Sequence, residues 1–175
     1  MDNRRILVLG GARSGKSTVA EQIVEQSGLA RLYLATAEAG DDEMRVRIAE
    51  HRARRGTGWQ NIETPLDLEK TLAETARPGR AVLVDCLTLW LSNIFLAEGD
   101  VGERVSALAV TLRELPGLIV VVSNEVGMGL VPDNALARSF RDAQGRLNQT
   151  IAGDCDTVIF VAAGQPLALK GKLPS

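Results

Sequence analysis

Arg5-Ile6-Leu7-Val8-Leu9-Gly10-Gly11-Ala12-Arg13-Ser14-Gly15-Lys16-Ser17 is a short apolar run that breaks into two glycines and ends on Gly-Lys-Ser. Residues 10–17 match GxxxxGK[ST] in full, and the match has the context that gives the pattern its meaning, a strand before it and a helical stretch after it. In such a loop the glycines let the backbone fold back so that successive N–H groups point inward at phosphate oxygens. The following helix adds the positive end of its dipole. Gly10, Gly11, Ala12, Arg13, Ser14, Gly15, Lys16 and Ser17 are therefore expected to bind a nucleoside triphosphate, with Lys16 reaching the β- and γ-phosphates and the Ser17 hydroxyl ligating Mg²⁺. A plain Gly-rich turn between strand and helix is the bland alternative, and it rarely carries the whole pattern in this context.

Four more runs rich in Val, Leu and Ile read as buried strands: Arg31 to Ala35, Ala81 to Asp85, Leu118 to Ser123 and Thr157 to Ala162. Helical spacing runs through Lys16 to Gln26, Asp41 to Arg55, Leu66 to Ala76, Gly102 to Leu115 and Ala135 to Ile151. Strands alternating with helices predict an α/β fold of the P-loop type, a mostly parallel sheet with helices on both faces. With 175 residues and no repeat, low-complexity tract or Pro/Gly-rich linker, residues 1–175 read as a single domain.

Composition narrows the partners. A formal net charge of −2 offers no basic field for a polynucleotide, and two Trp, one Tyr and three Phe leave little for a base-stacking platform, so nucleic acid is not expected. The first five residues lead into only a short apolar run, too brief for a signal-peptide core or a membrane span, which predicts a cytoplasmic protein. Cys86 and Cys155 each adjoin an apolar run, where a buried free thiol is the usual outcome. One histidine and no CxxC give a four-ligand zinc site no ligand set, so a bound metal is expected to take oxygen ligands.

A P-loop commonly works with a carboxylate at the end of a second apolar strand, and Asp85 supplies one after Ala81-Val82-Leu83-Val84. Glu125, at the end of another run, competes for that role, and a strand-ending Asp that bonds its own turn is the structural alternative. His51, the single histidine, lies among Arg45, Arg47, Arg52, Arg54 and Arg55. On a helix it is flanked by guanidinium groups that can hold phosphate and keep the imidazole unprotonated, as a nucleophile needs. The residues alone equally permit a solvated basic helix with an incidental histidine.

Separate stretches then resemble one family. They are GGARSGKS at residues 10–17, LATAE at 34–38, DDEMRVRIAEHRARRG at 41–56 followed by Trp59 and Glu63, VDCLTLWLSN at 84–93, and SNEVGMGLVPDNALARSFRDAQGRLNQ at 123–149. Together they resemble the bifunctional adenosylcobinamide kinase and adenosylcobinamide-phosphate guanylyltransferase family of cobalamin biosynthesis. The resemblance implies that His51 becomes covalently guanylylated. It also implies that Thr36, Ala37, Glu38, Arg52, Arg54, Arg55, Glu63 and Asp85 lie in or near the guanine nucleotide site. Its substrates are ATP or GTP and adenosylcobinamide with its phosphate, with Mg²⁺ at Ser17 and Asp85. A homo-oligomer, a trimer on the family pattern, is expected with the apolar loop Val126 to Pro132 near a subunit boundary. The rivals are a P-loop small-molecule kinase of another pathway that never uses His51, and a nucleotide-dependent switch, which the lack of an NKxD motif disfavours.

Overall fold

The computed structural model describes residues 3–37, 53 and 55–174. In chain order these form β1 (Arg4–Gly10), α1 (Lys16–Gln26), β2 (Ala30–Ala35), β3 (Trp59–Glu63), α2 (Leu68–Thr75), β4 (Arg80–Asp85), α3 (Leu87–Leu96), α4 (Val101–Glu114), β5 (Leu118–Asn124), α5 (Ala135–Asp154), β6 (Thr157–Ala162) and β7 (Gln165–Lys170). The expected helix over residues 41–55 lies outside the described residues, except that Ala53 and Arg55 are helical.

The strands make one sheet in the order β3-β2-β4-β5-β1-β6-β7. Every neighbouring pair from β3 to β6 is parallel, and β7 alone runs antiparallel, against β6. Parallel pairing forces each connection to cross back over a face, so helices cover the sheet and the strands between them become apolar on both sides. In β1 all of Arg5 to Gly10 is buried, and in β5 all of Leu118 to Ser123. On one face α1 packs Ala20, Ile23 and Val24 against Ile6, Val8, Leu83, Val120 and Ile159. The opposite face carries α2 to α5, whose Leu72, Trp90, Leu91, Leu108, Leu112, Leu147 and Ile151 pack on Leu7, Val84, Ile119 and Val121.

Three elements differ from the sequence expectation, each for a physical reason. α3 has no apolar stripe to give it away, since Leu87-Thr88-Leu89-Trp90-Leu91 is apolar nearly all round and the helix is sunk between β4 and its neighbours. β3 is a polar edge strand whose Gln60, Asn61 and Glu63 face solvent. β7 is the other edge, and its Pro166 is tolerated there because an edge strand has one side without a ladder.

Two polar ties hold the framework. Arg5, buried at the start of β1, donates from its guanidinium to the carbonyls of Leu112, Leu115 and Gly117, while its backbone N–H donates to Asp156 Oδ2 at 2.7 Å. Burial holds the Arg5 pKa below the usual arginine value, with Asp156 opposing that effect. Arg104 of α4 donates from Nε and Nη2 to the two Glu69 oxygens of α2, at 2.9 Å each, and those bonds raise its pKa.

Candidate active site

Because β1 to β6 all run the same way, their C-terminal ends lie along one edge, and that edge is where ligands bind in open α/β sheets. Register fixes the sequence there. Glu63 pairs with Ala35, Ala35 with Asp85, Asp85 with Val122, and Asn124 with Gly10, which in turn pairs with Val161. The P-loop, Ala35-Thr36-Ala37, Glu63, Asp85 and Asn124 are thus brought to one side of the molecule. β5 lies between β1 and β4, so Gly10 and Asp85 stand two strand spacings apart across the sheet, roughly 10 Å, with Gly10, level with Asn124, further along the edge than Asp85, level with Val122.

The P-loop closes by a Ser14 N–H donation to the Gly11 carbonyl at 3.3 Å and a Gly164 N–H donation to the Ser14 carbonyl at 2.8 Å. Two glycines are required by contact or conformation. A Cβ on Gly10 would stand 2.4 Å from Ser14 Oγ and 2.6 Å from the Val161 carbonyl oxygen, and Gly15 has φ +95° with the Gly164 Cα 3.1 Å from where its Cβ would be. Lys16 Nζ donates to the Gly11 carbonyl at 3.1 Å, so the ammonium curls back over the loop it is expected to serve. Ser14 Oγ is buried and has no hydrogen-bond partner among the described residues. An orphaned hydroxyl inside a loop of this shape has hydrogen-bonding capacity to spare for a ligand.

At the β2–β4 corner the polar groups of Thr36 are, by contrast, fully engaged. Thr36 is buried; its N–H donates to the Asp85 carbonyl at 3.3 Å, its Oγ1 donates to the Cys86 carbonyl at 2.7 Å and accepts from the Cys86 N–H at 2.8 Å, and its carbonyl accepts from Asn93 Nδ2 at 2.9 Å. Asn93 also donates to the Pro65 carbonyl at 3.0 Å. Thr36 therefore contributes to the site by clamping the Asp85-Cys86 turn. Asp85 is half-buried and accepts a hydrogen bond from the Tyr33 hydroxyl at 3.2 Å. Burial, with the Asp85 charge adding to it, pushes the neighbouring Cys86 thiol up to about 11, while Lys16 pulls the other way. Cys86 and Cys155 are both free and buried, and burial pushes the Cys155 thiol up to about 12.

Of the other expected site residues, Ala37 follows β2 at the edge and Glu63 is the exposed last residue of β3. His51, Glu38, Arg52 and Arg54 lie outside the described residues. Arg55 is buried, with Nη1 3.8 Å from Glu21 Oε1, Nη2 donating to Asn61 Oδ1 at 3.3 Å, and its guanidinium carbon 3.5 Å from the centroid of the Tyr33 ring. Glu125, the rival to Asp85, donates its N–H to the Gly10 carbonyl at 3.0 Å and accepts at Oε1 from the Gly127 N–H, which turns it into the following loop.

Sequence reasoning missed a polar cluster behind β5. Gln144 Nε2 donates to Ser123 Oγ at 2.9 Å and to Asn148 Oδ1 at 3.0 Å, and Ser123 Oγ donates to Asn148 Oδ1 at 2.7 Å. Asn148 Nδ2 donates to the Asn124 carbonyl at 3.0 Å, while the Asn124 N–H donates to Thr88 Oγ1 at 2.8 Å. These bonds fix the end of the strand beside Gly10. The available signal was two amide side chains, at 144 and 148, one helical turn apart on a face that is otherwise apolar.

Residues 6–169 match the family described as cobinamide kinase / cobinamide phosphate guanyltransferase. The chain belongs to that family. It is 54% identical over 171 residues to the bifunctional adenosylcobalamin biosynthesis protein CobP of Pseudomonas aeruginosa, covering 96% of this chain and 98% of that one. It is 36% identical over 180 residues to the bifunctional adenosylcobalamin biosynthesis protein CobU of Salmonella typhimurium, covering 94% and 99%. Among solved structures it is similar to an ATPase from the type III secretion system of pathogenic bacteria, with a TM-score of 0.59, 14% identity and coverage of 95% of this chain and 57% of that chain. The flagellar accessory protein FlaH from Methanocaldococcus jannaschii is similar too, with a TM-score of 0.55, 12% identity and coverage of 98% and 80%. At such identities these two likenesses speak for the P-loop fold alone. No helix among the described residues is long and apolar enough to cross a membrane.

Proposed function

We infer that this member of the family carries out two transfers in succession on one domain spanning residues 1–175. It phosphorylates adenosylcobinamide with ATP or GTP, then moves GMP from GTP to adenosylcobinamide phosphate, giving adenosylcobinamide-GDP. The observation that carries this reading is a complete P-loop seated at the carboxyl edge of the sheet, beside Asp85, in a chain that matches the family over residues 6–169. A kinase of another pathway is not favoured by that match.

In the first transfer a hydroxyl of the cobinamide side arm attacks the γ-phosphorus and the bond to the β-phosphate oxygen breaks. The loop amides of residues 10–17 and the Lys16 ammonium stabilise the charge that spreads over the phosphoryl oxygens. Ser17 and Asp85 would hold Mg²⁺; their hydroxyl and carboxylate are the hard oxygen donors this ion takes, usually one or two from protein and the rest from phosphate and water. When bound, the ion supplies charge neutralisation across the β- and γ-phosphates.

In the second transfer a ring nitrogen of His51 attacks the α-phosphorus of GTP and pyrophosphate leaves. A phosphate oxygen of the phosphorylated cobinamide then attacks that phosphorus, breaking the P–N bond and returning the imidazole. Arg52, Arg54 and Arg55, with Thr36, Ala37, Glu38 and Glu63, belong to the nucleotide-binding part of this reading. Incubation with α-labelled GTP and Mg²⁺ tests it: acid-labile, base-stable label is expected on the protein before any acceptor is added, and it should discharge when cobinamide phosphate arrives. His51→Ala should lose that label and the guanylyl transfer yet still phosphorylate cobinamide. Wild-type labelling of His51→Ala would sink the mechanism.

The enzyme is further read as a cytoplasmic homo-oligomer, a trimer on the family pattern, because Met128 and Leu130 are 80% and 97% exposed on the apolar loop after β5. Sedimentation of Leu130→Glu against wild type tests this, with a shift to smaller species expected.

A further inference from the structure

Behind Asp85 runs a chain of buried groups, Tyr33, Arg55 and Glu21, of which the transfers above use Arg55 alone. Tyr33 lies in β2 on the α1 side of the sheet, and its hydroxyl donates to Asp85 Oδ2 at 3.2 Å. The Arg55 guanidinium carbon sits 3.5 Å from the centroid of the Tyr33 ring, close enough for a contact of cation on π face. Arg55 Nη1 is 3.8 Å from Glu21 Oε1, and Glu21 belongs to α1, the helix that begins with Lys16 and Ser17. Tyr33, Arg55 and Glu21 are 6%, 8% and 5% exposed.

The consequences follow from ordinary side-chain physics. A strand-end aspartate at a half-open site samples several rotamers, and one oxygen fixed by a donor selects among them. Tyr33 Oη occupies Oδ2 and leaves Oδ1 as the oxygen that can turn to a ligand. Arg55 lies against the ring face and is itself held by Glu21 and Asn61. The carboxylate on β4 and the helix that carries Lys16 and Ser17 are thereby referenced to one another through two side chains.

We propose that Tyr33 is a positioning residue for phosphoryl transfer, holding Asp85 in the rotamer that serves the metal side of the triphosphate, with Arg55 and Glu21 fixing the Tyr33 ring for that task. This rests on the reading of Asp85 as the metal-side carboxylate.

Tyr33→Phe deletes the hydroxyl and keeps the ring under Arg55. The measurement is Mn²⁺ affinity of the enzyme complexed with a non-hydrolysable triphosphate analogue, read by electron paramagnetic resonance, alongside the Mg²⁺ dependence of the kinase and the melting temperature. The expected result is a Mn²⁺ dissociation constant raised about tenfold, as suits loss of one hydrogen bond to a charged group. The Mg²⁺ concentration for half-maximal rate should rise by a similar factor, with the rate recovering at high Mg²⁺ and melting little changed. Arg55→Lys, which keeps a cation for Glu21 and loses the flat stack, should shift Mn²⁺ affinity the same way by less. Combined with Tyr33→Phe it should add nothing, because Arg55 acts through the hydroxyl that is already gone.

Asp85→Asn separates the role of Asp85 from that of Tyr33. If it weakens Mn²⁺ binding while Tyr33→Phe leaves binding at the wild-type value, the positioning role is overturned and the Asp85 reading stands. If Asp85→Asn itself leaves Mn²⁺ binding unchanged, the Asp85 reading falls and takes the positioning role with it. A Tyr33→Phe protein that melts lower and turns over more slowly at every Mg²⁺ concentration, with unaltered Mn²⁺ affinity, also overturns the proposal, since that is what a merely structural tyrosine does.

Discussion

The P-loop corner and the β2–β4 corner sit on the same sheet edge and are built on opposite principles. At the first, Ser14 Oγ is buried without a partner, Gly15 is in the left-handed region, and Gly10 leaves no room for a side chain. At the second, the N–H, carbonyl and hydroxyl of Thr36 are all bonded to protein, Asn93 donates twice, and Asp85 is tied to Tyr33. A buried polar group without a partner costs free energy, and a ligand that completes it recovers that cost. On the function proposed above, the first corner receives the triphosphate and the second aims one carboxylate at it.

The largest expected effect is at the receiving corner. Lys16→Ala removes an ammonium that donates to the Gly11 carbonyl, part of the loop itself. Kinase turnover should fall by about a hundredfold or more, the usual loss when a group that stabilises developing charge is deleted. Stability should change little, because the loop keeps its backbone closure at Gly11 and Gly164. Near-wild-type phosphorylation of cobinamide in this variant would remove the ligand-receiving role from the corner.

At the aiming corner the balance between stability and rate should reverse. Thr36→Val keeps the shape and strands the Cys86 N–H and carbonyl that Oγ1 now serves, which costs about 1–3 kcal/mol. For a chain of this size that lowers the melting temperature by several degrees, at about 2–4 °C per kcal/mol. Kinase activity should drop by roughly tenfold as Asp85 loses its clamp. Thr36→Ser, which restores the hydroxyl, should recover both. A Thr36→Val protein with wild-type melting and rate would show that the turn holds itself.

The two corners also differed in how far the sequence revealed them. Gly10 to Ser17 was legible because its chemistry is local: eight consecutive residues carry the donors, the flexibility and the helix start. The mostly parallel sheet was legible for a related reason, since five apolar runs alternate with helical stretches. The Thr36 clamp was not, because its partners Cys86 and Asn93 are 50 and 57 residues away and threonine after a strand announces nothing. Arg55 read as one more cation of a basic run, yet it is buried against Glu21 and Tyr33, a pairing set by how β2, β3 and α1 meet. β3 and β7 escaped because edge strands lack the apolar continuity of central ones, and α3 because a helix buried all round shows no period.

The smallest effect, and the finest test of the contrast, is at Ser14. Its hydroxyl is buried with no hydrogen-bond partner, so the cost of desolvating it is already borne by the free protein. Ser14→Ala should therefore leave stability unchanged or raise it by up to about 1 kcal/mol, the reverse of Thr36→Val although both remove one buried hydroxyl. Triphosphate affinity should fall only a few-fold, because the loop amides and Lys16 remain. The variant should not rescue Gly10→Ala either: with Oγ gone, a Cβ at residue 10 still stands 2.6 Å from the Val161 carbonyl oxygen, a backbone atom of the neighbouring strand that cannot rotate away. Chemical denaturation of the two single variants and the double variant, with equilibrium titration of a triphosphate analogue, reads all three expectations. Destabilisation of Ser14→Ala by as much as Thr36→Val would mean that the Ser14 hydroxyl is already satisfied, and the two corners would no longer differ in kind.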